Sequence, residues 1–131
     1  MISEPVSISL ETYTTVIEKE NLGEPHPTLI GGEMWYPPDE ERDRGVRVLN
    51  ELREQGLVRG NRVSDDFMDV LAAMQRAAVE FYTFARIEGG QSTYRTVALG
   101  RDAMLISHQV GKEIEIEPIP FDQLRVRLAA A

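Results

Sequence analysis

The chain has 131 residues, a single domain's worth, and its 42% hydrophobic content supplies a core without staples. It contains no cysteine, which excludes disulfides, thiolate metal sites and a cysteine nucleophile together. Lys and Arg number 14 against 22 Asp and Glu, a net charge of −8, and that balance argues against a surface built for phosphates, so nucleic acid is not an expected partner.

The N-terminus, Met1-Ile2-Ser3-Glu4-Pro5, has no basic region followed by an apolar run and does not read as a signal peptide. No stretch approaches the roughly 20 apolar residues of a membrane span. The expectation is a cytoplasmic protein that does not enter a membrane. Val6 to Leu10 alternates as a short strand, and Ser9 is placed to cap a helix with Leu10, Tyr13, Val16 and Ile17 at helical spacing, ending near Asn21 to Gly23. Pro25 and Pro27 break the chain around His26, and Thr28-Leu29-Ile30 is at most a short extended piece.

Pro37-Pro38 followed by Asp39-Glu40-Glu41 announces a second helix, with carboxylates at its positive end and Val46, Val48, Leu49 and Leu52 as its apolar positions. Gly45 weakens the pattern, and Gly56 closes it. After an extended Leu57-Val58 and a turn at Gly60-Asn61, Ser64 caps a third helix in which Phe67, Val70, Leu71 and Met74 share one face. From Ala77 the period changes to two. Residues 79–87, 93–99, 103–110 and 113–119 read as four strands joined by tight glycine turns, an antiparallel meander. Pro120 ends the last strand, and Phe121 to Ala131 resembles the start of a helix. No internal repeat or linker is visible, so residues 1–131 form one domain of α+β class, an antiparallel sheet packed with helices.

The strand faces carry a hint about interaction. Ile114 and Ile116 alternate with Glu113, Glu115 and Glu117, which makes one face wet, whereas Met104 and Ile106 oppose Ala103 and Leu105, and Val79 and Phe81 oppose Tyr82 and Phe84. Apolar residues on both faces need cover on both, from the chain itself or from a partner.

Catalytic and metal chemistry find little support. His26 and His108 lack ligand spacing, and no serine sits in a Gly-x-Ser-x-Gly elbow. Asp39, Glu40, Glu41 and Asp43 lack the pattern of a calcium loop. They suit a solvated helix face, with Glu40–Arg44 and Asp43–Arg47 at i, i+4. Neither an enzyme nor a cofactor is expected. Trp35, beside Tyr36 and between Gly-Gly and Pro-Pro, reads either as a seal on the core or as a docking residue.

Taken in order, Ser7-Ile8-Ser9-Leu10-Glu11 with its helix, Leu22-Gly23-Glu24-Pro25, Leu52-Arg53-Glu54-Gln55-Gly56-Leu57-Val58, the helix Asp65 to Met74 and the strands that follow resemble the N-terminal half of the EspG family, chaperones of mycobacterial and related actinobacterial type VII (ESX) secretion systems. The most specific segment is Leu-Arg-Glu-Gln-Gly-Leu-Val. The resemblance implies a non-enzymatic protein with a central antiparallel sheet that binds PE–PPE heterodimers through an apolar helical tip. It also implies partner contacts at the connection between the first two long strands, which here is Glu88-Gly89-Gly90-Gln91-Ser92 flanked by Ile87, Thr93 and Tyr94. Phe81, Phe84, Val97 and Leu99 lie beside it. Family members are about twice as long, with a second half related to the first by a pseudo-twofold axis, and their connection is often longer. A homodimer that imitates the missing half is therefore an expectation. The alternative is a small-molecule-binding or cyclase-like α+β protein with an apolar cavity and Tyr82, Tyr94 or His108 as polar groups inside.

Overall fold

The computed structural model describes residues 2, 4–29, 37–76, 80–87, 90–99, 102–109 and 111–120. Trp35, Val79 and the helix expected after Phe121 lie outside them. The elements run β1 (Val6–Ile8), α1 (Leu10–Lys19), a single 3-10 turn (Pro27–Leu29), α2 (Pro38–Glu54), β2 (Val58–Arg59), β3 (Arg62–Val63), α3 (Asp65–Arg76), β4 (Glu80–Ile87), β5 (Gly90–Leu99), β6 (Asp102–Gln109) and β7 (Ile114–Pro120). Strands β4 to β7 form the expected meander. The chain's first strand joins its far side, giving the order β1-β7-β6-β5-β4, all antiparallel.

Local chemistry sets the start of α1 and the C-terminal ends of α1 and α2. Ser9 caps α1 and its hydroxyl accepts from the Thr12 amide at 3.1 Å. At the other end Asn21 takes φ +57°, and the Leu22 amide donates to the Ile17 carbonyl at 2.8 Å. Helix α2 ends identically, with Gly56 at φ +74° and Leu57 donating back to Leu52 at 2.9 Å. In both, a residue in the left-handed region satisfies orphan carbonyls and returns an apolar residue to the core. Helix α2 runs unbroken through Gly45.

Three expectations change. Thr28 and Leu29 belong to the 3-10 turn, because the Leu29 amide closes on the His26 carbonyl. Val46 is 54% exposed, since the stripe that faces inward from α2 is Arg44, Val48 and Leu52. Arg44 and Arg47 reach across to α1: Arg44 Nε donates to Thr15 Oγ1 at 2.7 Å, its guanidinium pairs with Glu41 and Glu18, and Arg47 pairs with Glu11 at 3.1 Å. These arginines tie two helices together, where spacing within α2 pointed to Glu40 and Asp43.

The main core lies between the helices and one face of the sheet. Ile8, Ile114, Ile116, Ile106, Met104 and Val97 supply the sheet side, and Tyr13, Ile17, Leu52, Phe67, Leu71 and Met74 are among the residues that meet them. The opposite face has a separate apolar cluster of Ala103, Leu105 and Ile119, all buried. Apolar residues on both faces, expected from the strand patterns, are therefore present.

Candidate functional site

The β4–β5 hairpin, the β6–β7 turn and the 3-10 turn gather at one end of the molecule. The pairing of Ile87 with Gly90 leaves only Glu88 and Gly89 between the strands. Gln91 and Ser92, expected in the connection, pair instead with Arg86 and Ala85 inside the ladder. Gly90 opens β5 at φ +135°, a conformation that side chains resist.

The expected contact residues divide by exposure. Phe84 is 49% exposed, Gly90 and Gln91 are exposed, and Tyr94 is half-buried. Ser92 and Thr93 are buried, and Val97 belongs to the main core. The Ile87 backbone lies at the hairpin end, while Glu88 and Gly89 are outside the described residues. The strand alternation puts Ser92 and Tyr94 on the face opposite the main core, where they share with Ser107, Gln109, Lys112 and Glu115 a groove of about 290 Å³. Phe84 is on the other face, in register with Thr93 and His108.

Buried hydrogen bonds hold this end. The Thr93 hydroxyl lies 3.3 Å from the carbonyls of Thr28 and His108, fastening the 3-10 turn to β5. His108 is hydrogen-bonded by backbone of Lys112 and Thr28, yet burial dominates and keeps its pKa below the usual imidazole value.

A second constellation escaped the sequence reading. Arg95, 2% exposed, sits on the core face of β5 and is gripped by Glu80 Oε2, which accepts from Nε at 2.7 Å and from Nη2. The other Glu80 oxygen lies 3.2 Å from His26 Nε2. The Thr28 amide donates to His26 Nδ1 at 3.2 Å, so Nδ1 is the acceptor and Nε2 carries the proton that Glu80 receives. Burial, reinforced by the Arg95 charge, pushes the His26 pKa down against the pull of Glu80. Burial pushes Glu80 upward, but the hydrogen bonds and charges of Arg95 and His26 outweigh it and hold the carboxyl below its ordinary range. The Tyr13 hydroxyl accepts from the His26 amide at 3.1 Å and donates to Gln75 Oε1, linking this cluster to α1 and α3. Arg95 Nη1 and Thr14 Oγ1 are buried without a hydrogen-bond partner among the described residues. The legible signal was a charged residue at an inward position, between core-facing Thr93 and Val97.

The arrangement locks a loop to two strands and presents a hairpin end, a partly exposed aromatic and a shallow groove. Among the described residues no group of three or more His, Asp or Glu could hold a metal, and no helix is long and apolar enough to cross a membrane. Fold and surface thus define an α+β sheet-and-helix scaffold with a candidate docking end. The model of the EspG family matches residues 9–131. The chain belongs to that family, the chaperones associated with ESX secretion. No curated protein matches it.

Proposed function

We propose that this chain is a cytoplasmic, non-enzymatic chaperone that binds PE–PPE-type heterodimers by an apolar helical tip, using the hairpin end of its sheet. Family membership across residues 9–131 carries the reading. The geometry supports it: Phe84 offers apolar surface at the outer strand, and Gly90, Gln91 and Tyr94 lie close by. Burial of the tip would supply affinity, and the net charge of −8 supplies solubility and rejection of acidic partners. Thr93 and Val97 act from the core side, by holding β5 in place, while Ser92 lies beside Tyr94 in the groove on the opposite face. We also propose that a second copy of the chain pairs with the first.

A small-ligand cavity fits less well. Tyr94 and His108 do share the groove, but its volume of about 290 Å³ is at the small end for a ligand site, and serine, glutamine, lysine and glutamate line it too.

The test is co-expression of tagged protein with PE–PPE pairs from the same genome, followed by affinity purification. A stoichiometric complex with one pair is expected, and Phe84→Asp should abolish it while the circular dichroism of the free protein stays unchanged. Failure of every pair with folded protein would overturn the reading.

A further inference from the structure

We propose that two copies of this chain join β4 to β4 across a twofold axis at Thr83, making one continuous antiparallel sheet. The inference rests on the pairing of copies put forward above and adds where and in which register they meet.

The first observation is the edge itself. Strand β4 has eight residues and, among the described residues, a strand neighbour on one side only. It contains no proline, glycine or lysine. Natural sheets usually blunt a long edge by such devices, or by charge or cover, because its unpaired amides and carbonyls invite another strand.

The second observation is what the strand carries. Its only charged residues are Glu80 and Arg86, each three positions from Thr83. In antiparallel pairing centred on Thr83, Glu80 of each copy stands opposite Arg86 of the other. Both residues are an even number of positions apart and so share a face, and a twofold axis normal to the sheet keeps that face common to both copies. Two Glu–Arg pairs therefore close the joint symmetrically. Slipping the axis by one residue in either direction removes both pairs. Opposite charges placed directly across antiparallel strands stabilise the pairing, and like charges destabilise it. Both groups are available: Arg86 is exposed, and the Glu80 side chain keeps 28% exposure while holding Arg95 and His26. The same register sets Tyr82 opposite Phe84.

The lack of native cysteine makes the register testable, since an introduced thiol reports alone. Directly opposed residues of antiparallel strands have Cα atoms about 4.5–5.5 Å apart, within the range of about 4.4–6.8 Å that a disulfide spans. Sedimentation of the unaltered protein without any substrate should show a dimer. Under mild oxidation Thr83→Cys should cross-link nearly completely, while Lys112→Cys, in the exposed β6–β7 turn, should not. Arg86→Glu sets acid against acid at both ends and should weaken the dimer about tenfold or more with an unchanged circular dichroism spectrum. A monomer at every concentration overturns both the pairing and this interface. A dimer in which Lys112→Cys cross-links as fast as Thr83→Cys, or which Arg86→Glu leaves intact, overturns the β4 register and leaves the pairing standing. Neither result touches the substrate reading, which the co-expression experiment decides.

Discussion

Strands β1 and β4 bound the same sheet, and they meet the problem of an unpaired edge in different ways. Strand β1 is three residues long, and side chains at the C-terminal end of α2 seal it and the residue after it: Gln55, the C-cap, accepts the Ser7 amide through Oε1 at 3.3 Å, and Glu51 Oε1 accepts the Ser9 amide at 2.8 Å. Glu51 also receives the hydroxyls of Ser9 and Thr12, so one carboxylate caps the strand end and the start of α1 together. Strand β4 is more than twice as long, and the polar groups that stand out on it grip inward, Glu80 on Arg95 and His26. Among the described residues one edge is closed by side chains of the same chain, while the anchors of the other hold it to the core and no further strand pairs with its outer side.

That contrast can be broken at either edge. The largest effect is expected from Glu80→Ala, which leaves the buried Arg95 without its carboxylate. The loss should be about 3 kcal/mol in denaturant unfolding, and a change well under half of that would show Arg95 to be satisfied elsewhere. Acidification probes the same cluster. His26 and His108 have pKa values below 6.5 in the folded chain, so the unfolded chain binds protons more readily and stability falls as pH drops through and below 6.5. Glu80, held below 4.5, adds stability that is present above 4.5 and is lost as pH falls through its folded value. A melting temperature that rises on going from pH 7 to pH 5 would contradict both histidine assignments.

At the sealed edge, Glu51→Ala leaves the Ser9 amide and the Thr12 hydroxyl without their acceptor and should cost about 2 kcal/mol. Gln55→Ala removes a single longer bond to an exposed site and should cost roughly 0.5 kcal/mol. Between these lies Gly90→Ala at the hairpin, expected to cost about 1–2 kcal/mol through backbone strain alone, since no atom lies within 4 Å of the added Cβ. If Gln55→Ala proved as costly as Glu51→Ala, the sealing of β1 would be spread evenly along the edge and not centred on the α1 cap.

Much of the fold was legible in sequence because its signals are local. Ser9, Ser64 and Gly56 mark helix ends by their own hydrogen-bonding and backbone chemistry, and Phe67, Val70, Leu71 and Met74 declare a buried face by spacing. The meander followed from glycine turns between alternating strands. The candidate site was legible in part: the hairpin was placed correctly, but its strand pairing begins three residues earlier than the alternation suggests, because Gly90, Gln91 and Ser92 join the ladder through backbone groups that apolar pattern does not report. His26 looked like a loop histidine between prolines. Its role depends on Glu80, 54 positions away, which no local pattern links to it.

By itself the sequence determined the class, the long elements and the core face of α3, since capping, turn geometry and hydrophobic period act over a few residues. Only the tertiary structure decided that β1 pairs with β7, that Arg44 and Arg47 reach to α1, that Arg95 is buried on Glu80, and that Phe84 remains half exposed while Val97 is enclosed. Those outcomes depend on which distant surfaces meet. A charge or an aromatic ring is placed by the partner that desolvates it, and that partner lies far away along the chain.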